Sequence, residues 1–130
     1  MTTEFYNECF VLLKMKGYDP IDLGNFIRFQ KGGVVFILHH EQNDGGFLRI
    51  DARFGEELVQ KHTVLKVLVA LNLITRNKKI VKGYIDNNNN TILSTEILLD
   101  TTPDAIDLLP RLIMMLMEGA YEFLEIIDKE

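Results

Sequence analysis

Apolar residues recur at helical spacing over residues 3–16, where Phe5, Tyr6, Cys9, Phe10, Leu12 and Leu13 share one side and Glu4, Asn7, Glu8 and Lys14 the other. Lys14 and Lys16 in the last turn, Gly17 behind them and Pro20 beyond make a helix stop. The pattern then changes period. Residues 26–30 form a short strand, and Lys31, Gly32 and Gly33 supply a hairpin turn. Residues 34–40 are nearly all apolar, as in a central strand covered on both faces. Asn43 to Gly46 reads as the next turn. Over residues 47–54 the chain alternates, with Leu48, Ile50, Ala52 and Phe54 on one face and Arg49, Asp51 and Arg53 on the other.

Residues 57–75 predict a second helix, because the apolar run is too long for one strand and holds no turn residue. A fourth strand covers residues 80–85, and Asp86 with the four asparagines behind it makes a turn. Residues 91–99 are the fifth strand. A last helix starts near Thr101 or Thr102, with Pro103 in its first turn, and runs to about Ile127. Pro110 must kink it or split off a first turn. The predicted architecture is α+β in the order α-β-β-β-α-β-β-α, a five-stranded antiparallel sheet with helices packed on it.

The chain has 130 residues, 47% hydrophobic and 25% charged, which suits a single domain over 1–130 with its own core. One cysteine, Cys9, cannot make an internal disulfide and points to the reducing cytoplasm. Residues 1–20 do not read as a signal peptide, and no apolar run reaches the roughly 18 residues of a membrane span. A net charge of −5 argues against a nucleic-acid partner, whose phosphates demand Lys and Arg. The expectation is a cytoplasmic protein that engages neither membrane nor nucleic acid.

Several local segments carry a resemblance that spans most of the chain. They are Gly17, Tyr18 and Asp19 after the first helix, residues 25–29 in the first strand, Leu71 and Asn72, residues 79–86 in the fourth strand, and residues 94–97 in the fifth. With this order of elements, the chain resembles the YbjN-type family of candidate bacterial sensory transduction regulators, whose fold is like that of the type III secretion chaperones. The resemblance implies a compact, chaperone-like domain, often dimeric, with no catalytic set to carry over and no cofactor.

Candidate chemistry is sparse. His39 and Glu41 share a strand face and, with His62 or Asp51, would be the start of a metal site, but two ligands do not define a coordination sphere. Cys9 lies on an apolar helix side and reads as a small buried hydrophobe. The glycine pairs do not open helices, so they are turns rather than phosphate loops. A small metal- or thiol-dependent enzyme using His39, His40, His62 or Cys9 is the alternative to a non-catalytic protein-binding module. A purely structural homo-oligomer is the third reading.

The binding reading rests on two surfaces. Where the pleats align, many of Arg28, Arg49, Arg53, Lys82, Tyr84, Ser94 and Glu96 fall on one sheet face, which suits either an acidic or extended peptide or a solvated face with cross-strand pairs such as Glu96 with Lys82. The second helix is apolar on all sides, whereas the last has a narrow polar stripe of Asp107, Arg111, Glu118, Glu122 and Glu125 flanked by Met114 and Met115. One sheet cannot cover so much apolar helix, so a homodimer is expected, with Val64, Leu68, Leu71 and Met115 at the contact. The partner's identity is not written in the sequence.

Overall fold

The computed structural model describes residues 1–40 and 46–129. Glu41 and most of the turn expected at Asn43 to Gly46 therefore lie outside the described residues. Helix α1 spans Thr3–Met15. Thr2 caps it, its hydroxyl accepting from the Phe5 N–H at 3.1 Å, and Phe5, Tyr6, Cys9 and Leu13 are its buried face. Gly17 follows at φ +78°, the left-handed conformation that ends a helix without a Cβ penalty.

Five of the strands are those the sequence predicts: β2 Phe26–Lys31, β3 Val34–His39, β4 Phe47–Arg53, β5 Lys82–Ile85 and β6 Thr91–Leu98. A sixth, β1 Ile21–Asp22, pairs with β2. Two residues are too few to show a period, so β1 is visible only in the pairing. All pairings are antiparallel, in the order β1-β2-β3-β4-β6-β5. Between β2 and β3, Gly32 and Gly33 both have positive φ, as a two-residue hairpin turn requires.

The helical region at residues 57–75 is two helices, not one. Helix α2 is Glu57–His62 and α3 is Val64–Asn77. Thr63 interrupts them at φ +80° and ψ +154°, outside helical space, yet its hydroxyl caps α3 through the Lys66 N–H. A turn without Gly or Pro leaves no sequence signal. The break directs Val67, Ala70, Leu71 and Ile74 of α3 into the core. Strand β5 starts two residues later than expected, because Ile80 takes φ +58° and cannot extend it.

Helix α4 is Ala105–Asp128, capped by Asp104, so Pro103 lies before the cap rather than in the first turn. Pro110 neither ends the helix nor splits off a turn. The bond it forfeits is the one to the Ile106 carbonyl, and Ile106 is exposed, so water can serve that oxygen. The helices cover one sheet face. There Ile27, Phe29, Phe36, Leu38, Leu48, Ile50, Ala52 and Leu93 meet Phe5, Leu13, Leu71, Leu116 and Phe123 in one buried cluster. Phe29 stacks on Phe36 at 5.1 Å and Phe54 tilts onto Phe123 at 5.5 Å.

Candidate functional site

The other sheet face is polar and is organised around Asp51. Register places Asp51 opposite Ile37 on β3 and Ser94 on β6, with Arg49 and Arg53 two residues away on β4. The Asp51 carboxylate is fully buried. It accepts from Ser94 Oγ at 2.7 Å and pairs with His39 Nε2 at 2.8 Å. Arg53 donates to it at 3.2 Å and Arg49 Nε at 3.3 Å. Burial alone would raise its pKa, but the hydrogen bonds from His39 and Ser94 and the charges of His39 and Arg49 outweigh that and hold it down at about 2.

The remaining sheet-face residues extend this network. Arg49 donates to the Tyr84 hydroxyl at 2.8 Å, and its Nε lies 3.9 Å from Glu96. Lys82 meets Glu96 at 2.9 Å, the cross-strand pair expected from the sequence. Arg49, Arg53, Lys82, Tyr84 and Glu96 are thus brought together, but as partners of one another and of Asp51. Their charges are largely spent inside the face, which suits a solvated, self-neutralising surface better than a cradle for an acidic peptide. Asp51 as the centre was not evident from the sequence. The signal lay in Arg49, Asp51 and Arg53 at spacing two, but its meaning needs the register that sets His39 and Ser94 beside them.

The helix layer presents two apolar surfaces. On α3, Val64, Leu65, Leu68 and Val69 are exposed, at 45%, 72%, 44% and 55%. Leu71 is not part of this surface. It is 1% exposed and packs against Gly83 of β5, so it belongs to the core. The sheet and α4 cover the side of α3 that carries Val67, Ala70, Leu71 and Ile74, which is why a helix apolar on all sides does not present all of them. On α4, Met115 is half-buried and Met117 buried, whereas Met114 is 60% exposed. The second surface is a groove of about 1180 Å³ between α1 and the start of α4, walled by Glu4, Glu8, Val11, Met15, Asp104 and Ile106 among others. Val11 and Met15 interrupt the otherwise polar side of α1.

Neither a protein-family profile nor a curated protein matches the chain by sequence. Solved structures do match it. YbjN from E. coli, a candidate transcription regulator, superposes with a TM-score of 0.69 at 14% identity, over 96% of this chain and 90% of that one. This chain has the YbjN fold. The same fold occurs in SycH, a type III secretion chaperone of Yersinia pestis solved in complex with a stable fragment of YscM2, at a TM-score of 0.56, 14% identity, and 92% and 97% coverage. The likeness is one of fold.

Within this YbjN fold the residues of the catalytic alternative are separated. His39 faces the polar side on Asp51, while His40 is buried on the opposite side, stacked on Tyr6 at 4.1 Å. His62 ends α2, 3.9 Å from Asp128. Cys9 is wholly buried, and burial, then Glu8, pushes its thiol up to about 12, far from a thiolate nucleophile. No group of three His, Cys, Asp or Glu is placed to hold a metal among the described residues. No helix among them is long and apolar enough to cross a membrane.

Proposed function

We propose that this chain is a non-catalytic protein-binding module of chaperone or adaptor type, working in the cytoplasm and pairing with a second copy through α3. The observation that carries the reading is the exposed stripe of Val64, Leu65, Leu68 and Val69, two i,i+4 pairs side by side on one helix. A fully exposed Leu or Val forgoes about 1.5–3 kcal/mol relative to burial, so four of them roughly half exposed leave several kcal/mol available to a contact. A two-fold axis lets one such patch cover itself. Support comes also from SycH, whose structure holds a fragment of another protein on this same fold. The polar sheet face, with Arg49, Arg53, Lys82, Tyr84 and Glu96, then serves to hold the sheet rather than the partner.

Sedimentation equilibrium is the test. Pairing predicts a mass near twice 15.0 kDa at tens of micromolar. Leu65→Glu and Leu68→Glu, both at exposed positions, are expected to return a monomer with unchanged far-UV circular dichroism. A wild-type mass of one chain would reject the pairing.

A further inference from the structure

The groove between α1 and α4 has a polarity that names its occupant. Along α1, Glu4, Glu8, Val11 and Met15 follow spacings of 4, 3 and 4 and so stand in one row. The N-terminal half of that row is acidic and the C-terminal half apolar. Met15 is 79% exposed and Val11 55%. The facing wall is Pro103, Asp104, Ala105 and Ile106, with Ile106 75% exposed. Three carboxylates line the groove and no Lys or Arg does.

We propose that this groove docks a basic amphipathic helix of a partner protein. Its apolar side would lie on Val11, Met15 and Ile106, and its Lys and Arg would reach Glu4, Glu8 and Asp104. Two helices already form the walls, and a third laid between them buries its apolar stripe as amphipathic helices do in such grooves. The carboxylates at the rim select the sign of the partner's polar face and speed its approach. A second copy of this chain fits poorly. Its net charge is −5, and the polar stripe of its longest helix carries Glu118, Glu122 and Glu125. An anionic membrane is repelled for the same reason. The inference rests on the protein-binding reading and adds the partner's chemistry to it.

The probes are two synthetic amphipathic helices with the same Leu positions, one with Lys and one with Glu on its polar face. Binding to the full chain is followed by fluorescence anisotropy. The Lys peptide is expected to bind at least roughly 10-fold more tightly than the Glu peptide. Glu4→Lys with Glu8→Lys should abolish or reverse that preference. Ile106→Ser and Met15→Ser should each weaken the Lys peptide several-fold. Charge reversal on the far stripe, Glu118→Lys with Glu125→Lys, changes the net charge equally and should leave the preference in place. Equal affinity for the two peptides, no binding of the Lys peptide, or an equal response to both double reversals would overturn the proposal. Each result is independent of the sedimentation test, since α3 takes no part in this groove.

Discussion

Replacing Asp51 by Ala is expected to cost about 3–5 kcal/mol, a large share of the roughly 5–15 kcal/mol that holds a domain together. The carboxylate is fully buried and accepts from four side chains. Its loss leaves the Ser94 hydroxyl, itself fully buried, without its Asp51 acceptor and removes the anion that Arg49 and Arg53 share. Arg49 and Arg53 retain some access to water, at 27% and 36% side-chain exposure, which places the expected value toward the lower end. Asp51→Asn keeps the volume and one acceptor oxygen and should lose about half as much. Glu96→Gln, at a half-exposed pair with Lys82, should change stability by no more than about 1 kcal/mol. Urea midpoints at pH 7 read all three. An Asp51→Ala midpoint equal to wild type, or Asp51→Asn indistinguishable from Glu96→Gln, would show that Asp51 is not the centre of the face.

The same carboxylate makes a signed prediction in pH. Its folded pKa of about 2 lies below the ordinary 3.8, so between those values the unfolded chain holds a proton that the folded chain lacks. Acid therefore draws the equilibrium toward the unfolded state. The contribution, about 2–3 kcal/mol, is fully present above pH 4 and lost as pH falls from about 4 to about 2. Wild type and Asp51→Asn are expected to converge in stability over that window.

Leu71→Ala is expected to destabilise the fold of the single chain by about 2–5 kcal/mol, whereas Leu68→Ala, three residues away on the same helix, should cost that fold less than about 1 kcal/mol and act instead on the proposed pairing. The difference is burial: Leu71 is 1% exposed and Leu68 44%. Leu71 is seated where it is because Gly83 has no side chain. A Cβ on Gly83 would lie 2.6 Å from Leu71 Cδ2 and 3.0 Å from Leu93 Cδ2. Gly83→Ala should therefore destabilise the wild type, yet partly fill the cavity in Leu71→Ala. Thermodynamic coupling in the double mutant of at least about 0.5 kcal/mol is the expected outcome of a denaturation cycle. Strict additivity would mean that the two residues do not share the space.

The sequence by itself determined five of the six strands, the helical regions around them, the antiparallel sheet and which face of residues 47–54 is apolar. Period two in residues 47–54 and helical spacing in residues 3–16 are local properties, set by backbone geometry whatever the rest of the chain does. It put Arg49 and Arg53 on one face and offered Lys82, Tyr84 and Glu96 as companions, which the register of β4, β6 and β5 then brought together. Tertiary structure decided the rest. The helix break at Thr63 and the strand at Ile21 and Asp22 have no local signal, since one is a single residue at φ +80° and the other a two-residue pairing. The centrality of Asp51 needs the register that brings Ser94 and His39 from other strands to a carboxylate which, in isolation, reads as a solvated strand residue. Leu68 and Leu71 are both apolar and three residues apart, so composition cannot separate them. Only the direction in which α3 leaves Thr63 puts one against Gly83 and the other on the surface of the chain. The groove at Val11, Met15 and Ile106 is likewise made by two helices about 90 residues apart in the chain, a proximity that comes from packing alone.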